Sequence, residues 1–207
     1  MCIRDSPSSR AVIAASDEFK TLCLPGKHNV LNSSLAAITA LEEGINKASI
    51  KAAIKEFKGT SRRFEEHIVR INNQNTIMVD DYGHHPAEIN ATIEAVYQKF
   101  GSKNICMFFE PHRFSRTKQL FSDFVKVLAK ISEVHIFPIY PASEKPLRGI
   151  TSKKLVSEIN KINGNAYLID KRSVKEVLYE RNSVPDVILV QGAGTIAEIA
   201  SLIKKYE

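Results

Sequence analysis

The stretch "MVDDYGHHPAEINATIEAV", Met78 to Val96, changes character twice. It begins as the end of an apolar strand and passes through Asp80, Asp81, Tyr82, Gly83, His84 and His85. It continues as an amphipathic helix that Pro86 is suited to start, because proline at the first helical position loses no hydrogen bond. A strand turning directly into a helix is half of a β-α-β unit. A fold needs no such crowd of polar groups at the turn, whereas a polar ligand does.

Outward from this stretch the alternation continues. Strands are expected at 67–71, 76–81, 104–110, 133–139, 166–170 and 186–192. Between them Ile89, Ile93, Val96, Tyr97 and Phe100 share a helical face, as do Leu120, Phe121, Phe124, Leu128 and Ile131, and then Ile196, Ile199 and Ile203. Nearly continuous apolar strands separated by helices imply an α/β domain with a mostly parallel sheet covered on both faces. Ligands in such domains sit at the carboxyl ends of the strands.

Residues 11–61 read differently. "AVIAASDEFKTLCL" suits one or two short strands, and the next segment a helix carrying Leu31, Leu35, Ile38 and Leu41 that Gly44 stops. A second helix follows, with Ser49 as its N-cap, Ile50, Ile54 and Phe57 on one face, and Gly59 past its end. Two helices and a strand fragment do not close a core, so 11–61 reads as the tail of something larger. The leader "MCIRDSPSSR", residues 1–10, fits no element and reads as non-native to the domain.

Of the 207 residues 43% are hydrophobic and 25% charged, which predicts a packed core. No apolar run approaches the roughly 18 residues that span a membrane. The net charge of +6 suits an anionic ligand or simply a lysine-rich surface, and its scatter argues against a nucleic-acid groove. Cys2, Cys23 and Cys106 lack C-x-x-C spacing, so neither a disulfide framework nor a zinc knuckle is expected, and a reducing cytoplasmic setting is the simpler reading.

The strand "NICMFFE" runs into "PHRFSRT", Pro111 to Thr117. Two neighbouring strands would then deliver an acid pair, His84, His112, Arg113 and Arg116 to one rim. The arginines can clamp a carboxylate or phosphate through paired planar donors, assisted by the helix amino terminus. "VQGAGTI" offers a G-x-G turn, but lacks the third glycine and later acid of a dinucleotide fingerprint, so it reads as a tight turn packing the last helix. His84 and His85 diverge as adjacent side chains and form no metal set.

These segments, with "PGKHNVLNSSLAA", "FKGTSRRFE" and "YPASEKP", resemble the Mur ligase family in order and spacing over about residues 21–207. "DDYGHHP", with His112 placed 28 positions after His84, is similar to the branch that joins L-alanine to UDP-N-acetylmuramate in peptidoglycan precursor synthesis. The resemblance implies an ATP- and Mg²⁺-dependent ligation through an acyl phosphate. It implies a Rossmann-like C-terminal domain at 62–207 that receives the amino acid, preceded at 11–61 by the end of a central ATPase domain. It gives His28, Asn29, Asn32, Arg63, Asp81 and Tyr82 to ATP, and His84, His112, Arg113 and Arg116 to L-alanine, the arginines as the carboxylate clamp. The G-x-x-x-x-G-K-[ST] phosphate loop, the family's metal ligands and its UDP-binding domain are absent from these residues. The expectation is therefore a fragment, inactive alone, holding no metal. The alternatives are a ligase adding a preformed peptide to UDP-N-acetylmuramate, and a non-catalytic nucleotide- or anion-binding module.

Overall fold

The computed structural model describes residues 27–57, 60–101 and 104–205, apart from the side chains of 27–29 and 31. They belong to two compact units, Met1–Thr60 and Ser61–Glu207. The expected leader, the expected strands within 11–24 and Gly59 lie outside the described residues.

In the first unit, α1 spans Lys27–Glu42 and α2 spans Lys47–Glu56. Gly44 follows α1 at φ 82°, a left-handed conformation that glycine adopts without strain. The buried stripe of α1 is rotated from the expected one: Ser34 and Ala37 are buried with Ile38 and Leu41 beside them, while Leu35 is exposed. The cap of α2 is Asn46, not Ser49; Asn46 Oδ1 accepts from the Ser49 N–H at 2.9 Å. Asparagine caps at least as well as serine, so the helix begins a turn earlier. Phe57 is already extended at φ −67°, ψ 112°, and leaves the face of Ile50 and Ile54.

The second unit carries six strands: β1 (Glu65–Ile71), β2 (Gln74–Asp81), β3 (Ile105–Phe109), β4 (Glu133–Ile136), β5 (Ala166–Leu168) and β6 (Val187–Gln191). Their spatial order is β1-β2-β6-β3-β4-β5. β1 and β2 form an antiparallel hairpin, and every other pair is parallel. Asn72 and Asn73 make the hairpin turn at φ 48° and 63°, the positive values that a tight two-residue connection needs. The helices are α3 (Pro86–Phe100), α4 (Phe114–Gln119), α5 (Phe121–Leu128), α6 (Ser152–Asn160), α7 (Val174–Tyr179) and α8 (Ile196–Ile203). The helix expected to carry Leu120 to Ile131 begins just after Leu120, where ψ is 22°, and ends at Leu128, so Ile131 lies beyond it. None of the helices described is long and apolar enough to cross a membrane.

Side chains alternate across the sheet and fill two layers. Ile105, Met107 and Phe109 pack with Ile93, Phe124, Leu128 and Leu155 from α3, α5 and α6. Cys106 and Phe108 pack on the other side with Val174, Leu178, Ile196 and Ile199 from α7 and α8. Each fully buried large side chain contributes about 1.5–3 kcal/mol, and both faces need a helical cover to collect it.

The expected adjacency of the two rim-bearing strands is corrected by this order. β6, the last strand in sequence, lies between β2 and β3 and pairs with both. Its five residues are all buried, as an apolar run flanked on both sides requires. The turn after β6 packs the last helix. Glu110, buried at the end of β3, accepts from Thr195 Oγ1 at 2.7 Å and from the Ile196 N–H at 3.0 Å, so it caps α8 from another strand. A Cβ on Gly194 would strike Glu110 Oε2 and come within 2.7 Å of the Tyr140 ring; one on Gly192 would meet the Glu110 carbonyl at 2.8 Å. These glycines serve close approach of chain to chain. Gly194→Ala is expected to lower unfolding stability by about 1–3 kcal/mol through overpacking. Urea denaturation checks this, and an unchanged midpoint would show that the contact yields freely.

Candidate functional site

The rim lies at the carboxyl ends of β2, β6 and β3. Two strand spacings, about 9–10 Å, separate the backbones of β2 and β3 there. Rings close the gap. Tyr82 meets His84 edge-on with centroids 5.4 Å apart, His84 lies 5.6 Å from His112, and His112 stacks on Tyr140 at 5.3 Å. Arg62 sits over Tyr82 at 5.6 Å, and Arg116 donates from Nη1 to the His112 carbonyl at 3.1 Å. His84, His112 and Arg116 are therefore brought together.

The loop after β2 is held by its own polar atoms. Asp81 Oδ1 accepts from the Gly83 N–H at 2.8 Å, from Gln191 Nε2 at 3.0 Å and from Thr92 Oγ1 at 3.2 Å, while Oδ2 accepts from the Phe64 N–H at 2.9 Å. The carboxylate holds the rim together through Oδ1, while Oδ2, with one donor, can accept another. Gly83 is needed beside it, because a Cβ would come within 2.6 Å of Asp81 Oδ1 and 2.7 Å of Gln191 Nε2.

The two histidines divide. His85 is the N-cap of α3, its Nδ1 accepting from the Ala87 N–H at 3.2 Å. Glu88 reaches back to accept from the N–H groups of His84 and His85 at 2.9 and 3.0 Å. Burial pushes Glu88 upward, but those two N–H groups outweigh it and leave the carboxyl below its ordinary value. His84, released from capping, lies beside His112.

The two arginines of "RRF" divide as well. Arg62, at φ 59°, places Nε 3.0 Å from Asp80 Oδ1 and donates from Nη2 to the Gly192 carbonyl at 2.7 Å. Burial pushes buried Asp80 above the ordinary carboxylate value although Arg62 pulls the other way. Arg63 is exposed, and Tyr82 keeps 43% of its surface exposed. Asn32 is exposed on α1 in the first unit, while the side chains of His28 and Asn29 lie outside the described residues.

Arg113, at φ 75°, is the N-cap residue of α4 and is exposed. The expected role of that helix end in meeting a ligand anion is corrected: Glu144 already occupies it, accepting from Ser115 N–H at 2.9 Å and Ser115 Oγ at 2.5 Å. Burial lowers the His112 pKa, the neighbouring charges of His84, Arg116 and Arg113 lower it further, and Glu144 opposes them. His112 is thus held neutral near pH 7, with Nδ1 facing Arg116 Nη1 at 3.3 Å and its proton on Nε2. Sequence reasoning gave no role to Arg62, Gln191, Tyr140 or Glu144. Tyr140 and Glu144 stood in the quoted "YPASEKP" without one.

A family model described as Mur ligase, glutamate ligase domain, matches residues 62–194. The chain belongs to the Mur ligase family. It is 40% identical over 183 residues to a UDP-N-acetylmuramate–L-alanine ligase of Psychrobacter cryohalolentis, a match covering 87% of this chain and 38% of that protein. The corresponding ligase of Psychrobacter arcticus is 39% identical over the same shares. The chain thus spans about 38% of the length of the curated relatives it matches. Among solved structures, UDP-N-acetylmuramate–alanine ligase of Thermotoga maritima aligns with a TM-score of 0.66 at 26% identity, covering 88% of this chain and 38% of the other. The murein peptide ligase of Psychrobacter arcticus aligns at 0.64 with 19% identity over 88% and 37%, a likeness of fold.

ATP-dependent ligation in this family implies Mg²⁺, which prefers oxygen cages. The described residues contain one cluster of ionisable donors close enough to share an ion, Cys106, Glu133 and His135. It lies away from the rim and includes a thiol, which does not suit Mg²⁺. No Mg²⁺ ligand is therefore assigned in the described residues.

Because the folded pKa of His112 lies below the unfolded 6.5, its neutral form adds stability that is present above pH 6.5 and lost as pH falls through the folded value. In an NMR titration His112 should titrate below 6.5. His84→Ala, which removes a like charge and admits water, should raise that midpoint; a fall or no change would contradict this account.

Proposed function

We propose that Ser61–Glu207 is the amino-acid-receiving domain of an ATP-dependent ligase that joins L-alanine to the muramate carboxylate of UDP-N-acetylmuramate. The observation that carries the reading is the convergence of His84, His112 and Arg116 across β6. The 40% identity with alanine-adding ligases supports the same choice of amino acid.

In this reading Arg116, already anchored on the His112 carbonyl, and exposed Arg113 hold the alanine carboxylate by charge-assisted hydrogen bonds. Neutral His112 and His84 beside it face the ammonium group, which must lose a proton before it attacks an acyl phosphate. Arg63 and the exposed Tyr82 ring serve the nucleotide, and Asp81 keeps the Tyr82 loop in place. The adenine role of His28, Asn29 and Asn32 rests on motif resemblance in the first unit alone. Phosphoryl transfer needs positioned positive charge and Mg²⁺, and these 207 residues hold no phosphate-cradling loop, so turnover requires that the rest of a ligase be supplied. The setting is peptidoglycan precursor synthesis in the cytoplasm.

In a full-length ligase carrying this domain, Arg116→Ala should raise the KM for L-alanine about tenfold to a hundredfold, the loss of one charged hydrogen-bonded contact. The KM for ATP should stay nearly constant. Alanine-dependent ADP release measures both. An unchanged alanine KM would remove Arg116 from the clamp, and competition by a tripeptide in place of alanine would favour a peptide-adding ligase.

A further inference from the structure

A second constellation lies toward the amino ends of β3 and β4, away from the rim. Parallel register places Cys106 beside Glu133 and Phe108 beside His135, and the period-two alternation of strands turns all four side chains to one face. Cys106 Sγ is 3.8 Å from Glu133 Oε1, and His135 Nε2 is 2.6 Å from the same oxygen. Nε2, Oε1 and Sγ all lie within 4.8 Å of one another. The His135 ring is clamped between Phe108 and Tyr167, each stacked with centroids 5.3 Å away, so the direction of Nε2 is set. Both strands are paired on both sides, which makes the scaffold rigid.

The cluster opens on a cavity of about 540 Å³ lined by Glu133, His135, Tyr167, Glu176, Glu180 and Arg181. Three carboxylates face one guanidinium there, so the cavity attracts cations. Arg181 occupies the position that a cation would take: its Nη2 lies 2.6 Å from Glu133 Oε2. Yet Arg181 Nε and Nη1 are buried and have no hydrogen-bond partner. Glu133 and Cys106 stabilise the guanidinium in place, but it is only partly paired, and withdrawal into water would give Nε and Nη1 the partners they lack. Arg181 stands on the segment after α7 and lines the cavity.

We propose that Cys106, Glu133 and His135 form a binding site for a transition metal of the zinc class, with the ion entering from the cavity as Arg181 withdraws. Thiolate, imidazole and carboxylate on one ion is a donor set that zinc accepts and that magnesium or calcium does not. Zinc bond lengths of about 2.0–2.3 Å in tetrahedral geometry separate nitrogen and oxygen ligands by about 3.3 Å, and sulfur and oxygen ligands by about 3.6 Å. The His135–Glu133 contact has to open by under 1 Å, roughly the scale of a small side-chain adjustment, and the Cys106–Glu133 distance barely changes. Glu133 and His135 line the cavity, so water from there would complete the shell. Burial pushes the Cys106 thiol up to about 12, so without metal it carries its proton, and His135 donates from Nε2 to Glu133. On binding, the thiol proton would leave to solvent and the imidazole would carry its proton on Nδ1, freeing Nε2 for the ion. The ion would tie β3 to β4 independently of any ligand at the rim.

The test uses the full chain with Cys2→Ser and Cys23→Ser, so that Cys106 is the one thiol, stripped of metal under reducing conditions. Cobalt(II) titration should give a thiolate-to-cobalt charge-transfer band saturating at one equivalent and abolished by zinc. Cys106→Ser should remove the band, and His135→Gln should weaken binding. Arg181→Met, which takes away the competing cation, should tighten cobalt binding at least about tenfold. Circular dichroism identifies any variant that does not fold, and where Cys106→Ser fails, Arg181→Met decides. Absence of the band, or cobalt affinity indifferent to both His135→Gln and Arg181→Met, would overturn the proposal.

Discussion

β6 is the strand on which the second unit depends. It is flanked in parallel by β2 and β3, and its five residues are buried on both faces. Its peptide groups find partners only when both neighbours are present, and an unpaired backbone group in an apolar interior is costly. Within the sheet, β1-β2 and β3-β4-β5 are joined only through β6. The same strand sets the width of the rim and supplies its middle. The Gly192 N–H donates to the Asp81 carbonyl at 3.1 Å, the Glu110 N–H donates to the Gln191 carbonyl at 3.2 Å, and Gln191 reaches Asp81 with its side chain.

Around that strand the rim sorts paired residues into builders and free ends. Arg62 turns in to Asp80 and the Gly192 carbonyl, and Arg63 stays exposed. His85 caps α3, and His84 lies against His112. Each pair consists of adjacent residues whose side chains must diverge. One member fastens the loop, and the other takes no part in that cap or ion pair. The polar crowd between Met78 and Val96 is therefore dense because it does two jobs, immobilising a short loop and presenting a surface. Preorganisation of this kind keeps groups that meet a ligand from losing much freedom when it arrives.

The sheet has a second polar region away from the rim. There Glu133 draws together a guanidinium, an imidazole and a thiol from two strands and a connecting segment. The rim presents Arg113, Arg116 and His112, whereas this cavity is lined mainly by carboxylates. One sheet thus carries two distinct polar regions, each mixing charges of both signs.

The order of strands and helices was legible in the sequence because apolar periodicity is local: the six strands were placed to within a few residues, and the faces of α3 and α8 were read correctly. The motif resemblance led to the family for the same reason, since its residues cluster in short segments. The helix end at Leu128 and the early cap at Asn46 escaped notice because an apolar stripe does not reveal where the last turn closes or choose between two good caps. Strand order was not legible at all. An apolar strand carries no label for its neighbours, so nothing in "VILVQ" announced that it would separate β2 from β3. Asp81 and Glu144 accept from Phe64, Gln191 and Ser115, all distant along the chain. Cys106, Glu133 and His135 likewise meet through register, not spacing. The sequence by itself determined the elements and the chemistry offered at their ends; only the tertiary structure decided which of those groups face one another, because pairing between strands is a long-range choice made by burial of the whole sheet.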